Sequence, residues 1–242
     1  MVPRPRRRRR HRRFLVDVRD DPWLAKRLGR AALWWQDGDD PAQVAAAARE
    51  RSPALAQARV AADAVATLGE LQTVGFRVVD ATVTMTGAAP PTASSKGIQI
   101  RDATPQDAPA LLELAARHYG VSRFHLDPAI SDELAGAIKR SWLQAYFDGG
   151  RGDRLLTADR DGRAMGFLAL LRRDDGVAII DLVAVHPELR MHGAGGALVA
   201  ALAPGFECIE AGTQLANTGA LRFYERLGFT VAATAYVLHL HA

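Results

Sequence analysis

Residues 190–195 read RMHGAG and follow the apolar run VAIIDLVAVHP at 177–187. Glycines between a buried strand and a helix leave backbone N–H groups uncovered, and such groups converging at the positive end of a helix hold an anion, above all a phosphate. Further along, Asn217 and Tyr224 stand seven residues apart. That spacing is two helical turns and puts both on one face. Ala220, Phe223, Tyr224 and Leu227 form an i, i+3, i+4, i+7 stripe on it, the mark of a core face. A tyrosine there can pack its ring and still present its hydroxyl to a cleft.

The spacing narrows which phosphate is meant. A dinucleotide fingerprint needs G-x-G-x-x-G straight after a strand; Gly193 and Gly195 fit, but the third position is Leu198 and His186 to Arg190 intervene. Glu210 would be the only candidate ribose ligand, and too little chain remains for the second half of such a fold. A Walker loop is excluded because no Gly-Lys-Ser/Thr follows. Arg190-x-x-Gly193-x-Gly195 survives, with His192, Ala194 and Gly196 completing the turn.

The elements that must position these residues can be read from pattern. The chain has 242 residues, 48% hydrophobic and 24% charged, which describes a globular protein of one large or two small domains. No apolar stretch approaches the roughly 18 residues of a membrane span, so a cytoplasmic protein is expected. A single cysteine, Cys208, excludes an intrachain disulfide and reads as a buried strand residue. The formal charge of +4 comes from MVPRPRRRRRHRR, which holds eight of the 31 basic residues; the remaining 23 face 27 acidic ones, a net −4. Residues 1–13 are read as a disordered Arg-rich extension. An arginine run can bind nucleic acid or anionic lipid, and a nucleic-acid-binding module is the rival outside the enzyme class, although the run has no interleaved aromatics and no membrane or nucleic-acid partner is expected.

The Pro/Ser-rich stretch 88–96 separates an N-terminal α/β domain (14–87) from a larger one (97–242). The first carries a strand at 14–18, helical segments PWLAKRLGRAALWWQ and PAQVAAAARE, a strand near ALAQARVAA, a helix ATLGELQTVG and a strand FRVVDATVTMTG. The second opens with strand GIQIRDA, a helix capped by Thr104 with Pro105 at its first position, and a second helix over 131–147. Three strands joined at Asp161-Gly162 and Asp174-Asp175-Gly176 follow, then the turn and its helix, strand FECIEAGTQ, a helix from Asn217 to Leu227 and a final strand. LQTVGFRVVDATVTM (71–85) and YERLGFTVAATAYVL (224–238) echo each other, with Gly75 and Gly228 in the helix-ending position, so the first part reads as a repeat of the closing unit of the second.

The turn, and this order of elements over 97–242, resemble the GNAT acetyltransferases, whose pyrophosphate-binding turn reads Arg/Gln-x-x-Gly-x-Gly/Ala. NTGALRFYERLGF (217–229) resembles the last helix of that superfamily. The resemblance implies a mixed α/β sheet of the GNAT fold with a smaller N-terminal α/β domain, and acetyl-CoA as co-substrate. Arg190, His192, Gly193, Ala194, Gly195, Gly196 and Asn217 would then hold the cofactor, and Tyr224 would protonate the departing thiolate. It further implies a splayed central strand whose amides around Leu182, Val183 and Ala184 receive the thioester oxygen.

SRFHLDP (122–128), GTQLANTGALRFYERLGF (212–229) and the ending AYVLHLH look like the GNATs of the dTDP-fucosamine acetyltransferase type. So does Leu71-Gln72-x-x-Gly75-Phe76-Arg-Val-Val-Asp80. That resemblance implies a nucleotide-linked amino sugar as acceptor, Asp80 as a candidate base, and Arg123, His125 and Gln214 as substrate-binding residues. On the residues alone Asp80 reads equally as a solvent-exposed turn or strand-edge aspartate; Lys139 on the second helix is a cation of the kind a nucleotide diphosphate would want, and reads first as surface charge. A free aminoglycoside, a polyamine or a protein amine is the alternative acceptor. No metal is expected: His239 and His241 alternate with leucines, spacing suggests no third ligand, and they read as edge or interface histidines. The last strand is expected to be able to pair across a homodimer.

Overall fold

A computed structural model describes residues 18–90, 95, 97–190 and 192–242. The arginine run and the strand expected at 14–18 fall outside the described residues, except for Val18.

The first part contains β1 (Arg19–Asp20), α1 (Pro22–Leu28), β2 (Ala31–Trp34), α2 (Pro41–Glu50), β3 (Ala54–Ala61), α3 (Val65–Thr73) and β4 (Arg77–Gly87). The second contains β5 (Gln99–Asp102), α4 (Ala108–Arg117), α5 (Asp132–Phe147), β6 (Arg154–Arg160), β7 (Arg163–Arg172), β8 (Ala178–Val185), α6 (Ala194–Ala200), β9 (Ile209–Gln214), α7 (Thr218–Arg226) and β10 (Thr230–His241). The strands form one mixed sheet in the order β1-β2-β3-β10-β4-β9-β8-β7-β6-β5.

Local chemistry accounts for most boundaries. Asp21 accepts the Leu24 N–H at 2.8 Å to start α1, and Gly29, at φ 66°, stops it. The helix expected over PWLAKRLGRAALWWQ therefore ends halfway; Ala31–Trp34 pairs in parallel with β3 and buries Leu33 completely. Asp40 caps α2 through Ala42 N–H, and the carboxylate of Asp107 accepts the Thr104 N–H at 2.7 Å ahead of α4. Cys208 lies just before β9, half-buried, with its sulfur 3.3 Å from Thr86 Oγ1.

The internal echo extends further than the two segments that reveal it. β2-α2-β3-α3-β4 and β8-α6-β9-α7-β10 follow one plan: two parallel strands joined by a helix, then a helix and a closing strand. Gly75 (φ 108°) and Gly228 (φ 86°) take the left-handed conformation after α3 and α7. Each closing strand crosses to the other unit: β4 pairs with β9, β10 with β3, and the two pair antiparallel with each other at the centre. β10 is thus flanked on both sides from Ala235 to His239, whereas the exposed segment 230–233 pairs with β4 alone.

Helices cover both faces. α2 and α3 pack on β3 and β10 through Val44, Ala48, Leu71 and Leu238, while α6 and α7 pack beside them through Leu198, Val199 and Tyr224. On the opposite face Leu111 and Leu143 of α4 and α5 meet Phe167 and Leu182, and Leu24 of α1 meets Ile138 and Leu55.

Candidate active site

The parallel ladder between β8 and β9 covers only Ala178 to Ile180 against Ile209 to Ala211. β8 continues beside β7 alone, with a bulge at Asp181, as far as Val185. The two central strands therefore part, and a cleft of about 750 Å³ opens, lined by Tyr119, Val183, Arg190, Gly193 to Gly196, Asn217 and Tyr224 among others. Tyr119 donates its hydroxyl to Val183 O at 3.0 Å, so the backbone groups of Val183 lie on the edge that β9 has left. Peptide groups alternate sides along a strand. Leu182 and Ala184 accordingly turn theirs toward β7, as does His186, whose N–H reaches Met165 O. Of the three residues expected around the thioester oxygen, Val183 presents its amide to the cleft, while Leu182 is core on the α4/α5 face.

Arg190 is extended ahead of the turn, and its Nη2 donates to His118 Nε2 at 2.7 Å. Burial and the neighbouring arginine lower the pKa of His118, and the same Nε2 also stands 3.0 Å from Val185 O on the vacated edge of β8. Met191 is not among the described residues. His192 is exposed and bonds back to Arg190 O through Nδ1. The glycines differ in purpose: Gly193 sits at φ 81°, where a side chain is strained, whereas a Cβ on Gly195 would stand 3.0 Å from the ring of Phe223. Gly195 thus lets α6 approach α7, and its backbone lines the cleft as a consequence.

Asn217 caps α7, its Oδ1 accepting the Ala220 N–H at 3.1 Å. Tyr224 is 3% exposed, with ring centroids of Phe223 and Phe229 at 5.0 and 5.4 Å. Its ring is core, and its hydroxyl has no hydrogen-bond partner among the described residues. Burial raises its pKa, so the group is a firm donor.

Asp80 is 5% exposed rather than open to solvent; it pairs with Val237 of β10 and lies just beyond the ladder that Thr82 to Gly87 form with β9. Burial pushes its carboxyl up to about 6 against the opposing pull of the Ala81 amide, Arg123, Gln214 and Lys139. Its Oδ2 has no partner. Gln214, at the end of β9, stands opposite Thr82, two residues from Asp80. Lys139 is buried rather than superficial, at 8% exposure, and burial followed by repulsion from Arg123 lowers its pKa to about 7. Arg123 is half-buried beside Phe124, and burial lowers its pKa to about 10. His125 Nδ1 is 2.7 Å from Ser122 Oγ, turned to its own loop. Glu210 is ion-paired to Arg173 at 2.8 Å.

His118 and Tyr119 were not singled out from the sequence as site residues, and Lys139, read there as surface charge, is buried. The one local signal was the His-Tyr pair at the end of α4; their approach to β8 is a long-range contact. The histidines of the last strand are also corrected. His239 is buried, and the structure supplies a third group, Asp127: His239 Nδ1 and His241 Nε2 stand 2.5 and 2.7 Å from its Oδ2. The three groups lie close enough to share an ion, yet ligands of a tetrahedral site with bonds near 2.0 Å stand roughly 3.3 Å apart. The separations are those of a hydrogen-bonded clamp between the loop before α5 and β10. Burial raises the Asp127 carboxyl, and the two histidine hydrogen bonds outweigh it and hold the group well below the carboxylate range.

The Acetyltransferase (GNAT) family model matches residues 123–229. The spore coat polysaccharide biosynthesis protein SpsD of Bacillus subtilis is 36% identical over 141 residues, which is 56% of this chain and 48% of that protein, so the match spans about half of that relative's length. The dTDP-fucosamine acetyltransferase of an Escherichia coli O6:H1 strain is 30% identical over 190 residues, 76% of this chain and 80% of that protein. Among solved structures, a tandem GNAT protein from the clavulanic acid biosynthesis pathway shares the fold with a TM-score of 0.62, at 17% identity over 87% of this chain and 74% of that one.

Proposed function

The chain belongs to the GNAT acetyltransferase family, and from that premise we propose that it transfers the acetyl group of acetyl-CoA to the primary amine of a nucleotide-linked amino sugar. The observation that carries the transfer is the cleft between β8 and β9, with a glycine turn at one end and the unpartnered Tyr224 hydroxyl in its wall. The amino-sugar acceptor is supported by the relatives, one named for spore coat polysaccharide biosynthesis and one for dTDP-fucosamine acetylation.

In this reading the turn from Arg190 to Gly196 holds the cofactor pyrophosphate, and the amine attacks the thioester carbon directly. The Val183 amide donates to the carbonyl oxygen as it gains charge, the role of a preorganised oxyanion donor. A phenol near ~10 is a weaker acid than a thiol near ~8.5, so complete proton transfer from Tyr224 to a free thiolate is uphill by about 2 kcal/mol. Burial raises the phenol further. Tyr224 therefore donates a hydrogen bond as the C–S bond breaks and passes its proton to the thiolate in concert, while the second proton shed by the attacking nitrogen as the tetrahedral adduct collapses restores the phenol. Only a neutral amine attacks. Asp80, ionised above about pH 6 and more basic than an ordinary carboxylate, takes the proton of the sugar ammonium.

The test is a coupled thiol-release assay with acetyl-CoA across nucleotide amino sugars, free aminoglycosides, polyamines and a protein-amine peptide. Turnover confined to the nucleotide sugars supports the acceptor. Faster turnover of any other class overturns it and leaves the transfer chemistry standing.

A further inference from the structure

Resting on that acceptor reading, a second cavity indicates how the rest of such a molecule is held. It measures about 370 Å³ and lies between α1, β2 and α5, walled by Trp23, Trp34 and Trp142 with Arg123 and Arg151. Its volume is in the range of small-ligand pockets. Trp34 Nε1 donates to Asp21 Oδ2 at 3.0 Å and Trp142 Nε1 to Asp181 Oδ2 at 2.9 Å. Both rings are fixed in place with their polar atoms already engaged, and Trp23 meets Trp142 edge to face at 5.8 Å. What these walls present is aromatic surface, suited to a flat guest.

The charges select among flat guests. Arg151, which lines the cavity, lies 4.9 Å from the ring centroid of Trp142, where a cationic guest would have to sit. Arg123 enters the same cavity, 5.6 and 5.9 Å from Trp34 and Trp142. Its Nε is buried without a partner, and among the described residues it makes no ion pair. Lys139 is likewise buried and without an ion pair among the described residues. Its Nζ stands 4.8 Å from the Tyr119 ring, which lines the acetyl-CoA cleft, and 4.8 Å from the Trp142 ring, which walls this cavity. One desolvated cation thus lines the aromatic box and a second stands between that box and the cleft, an arrangement that calls for an anion joined to a flat group.

We propose that this cavity binds the base of a nucleoside diphosphate, with its phosphates on Arg123 and Lys139, so that the attached sugar extends toward Val183. Trp23 and Trp34 come from the N-terminal part, which on this proposal is half of the acceptor site as well as a partner in the sheet.

The experiment is a tryptophan-fluorescence titration of the full chain carrying Trp35→Phe, which removes the one tryptophan outside the cavity. The probes are dTDP, thymidine and inorganic pyrophosphate. Saturable quenching by dTDP, with much weaker binding of thymidine or pyrophosphate, is expected. Trp34→Leu and Arg123→Leu should each weaken dTDP by roughly 10- to 100-fold, the range set by loss of a stacking or charge-assisted contact. Acetyl-CoA binding retained in both variants reports an intact fold, and the conservative Trp34→Phe should restore most of the affinity if stacking is the cause. Acetylation of a dTDP amino sugar without dTDP binding, or with binding indifferent to Trp34→Leu and Arg123→Leu, overturns the pocket and leaves the proposed function. Variant-sensitive dTDP binding without acetylation of any nucleotide sugar supports the pocket and overturns the proposed acceptor; neither binding nor acetylation overturns both.

Discussion

The hydroxyl of Tyr119 donates to the backbone carbonyl of Val183 at 3.0 Å. The bond ties the segment after α4 to the strand edge that β9 has vacated, and it leaves the amide of the same residue facing the cleft. Burial holds the Tyr119 phenol well above its ordinary range, so it remains a donor at every working pH. Tyr119→Phe keeps the ring and removes the donor. Folding stability should fall by about 1 kcal/mol, seen as a lower urea midpoint at unchanged slope. A midpoint equal to wild type would show that the bond does not order this edge.

Gly193 and Gly195 separate by substitution. Valine at 193 must take a φ of 81°, a left-handed conformation that costs an L residue roughly 1–2 kcal/mol, and its branches would fill the turn. Gly193→Val is expected to weaken acetyl-CoA more than 10-fold by calorimetry. Gly195→Ala meets the Phe223 ring at 3.0 Å instead, so its effect should be read chiefly in thermal stability. Unchanged acetyl-CoA affinity in Gly193→Val would remove the turn from the cofactor site.

How much of this was legible depends on whether the cause was local. The turn could be read because Gly193 and Arg190 act through their own backbone and spacing, and the hairpins at Asp161-Gly162 and Asp174-Asp175-Gly176 are likewise set by neighbours in sequence. The exchange of β4 and β10 could not, because pairing Asp80 with Val237 joins residues far apart in the chain. Only the Gly75/Gly228 echo hinted at it. What depended on that exchange was misjudged or left open: Asp80 as buried or exposed, His239 and His241 as edge residues; Lys139 was misjudged because α5 turns it toward Tyr119 and Trp142. The aromatic cavity was invisible for the same reason, since Trp34 sits on a strand read as helix and meets the α5 side of the molecule only after β2 joins the sheet.

Tyr224 combines a buried ring with a hydroxyl that has no hydrogen-bond partner among the described residues, so its two roles can be measured apart. Among those residues Tyr224→Phe removes no hydrogen bond, and it keeps the contacts with Phe223 and Phe229. Stability should stay within about 0.5 kcal/mol of wild type. kcat should fall on the order of 10²-fold, the usual scale for losing a general acid, with the KM for acetyl-CoA little changed. A kcat at wild-type level would show that the leaving thiolate takes its proton elsewhere.

Asp80 makes the pH dependence of activity and of stability run in opposite senses. Its native carboxyl titrates at about 6, above the ordinary 3.8, so the folded state holds this proton more tightly than the unfolded chain does. The favourable contribution of the protonated form is complete below about 3.8 and is lost as pH rises through 6. Above that, the ionised group costs the fold up to about 3 kcal/mol, at roughly 1.4 kcal/mol per pH unit. Asp80→Asn should therefore be more stable than wild type in urea at pH 8, and the difference should vanish near pH 3.5. Activity goes the other way. The kcat/KM of the wild type should rise with pH through about 6 as the base ionises, and Asp80→Asn should lose that limb together with most of its turnover. An acid limb that survives in Asp80→Asn assigns the base to another group, whereas equal urea midpoints at pH 8 would mean that the buried carboxylate is compensated by its cationic neighbours.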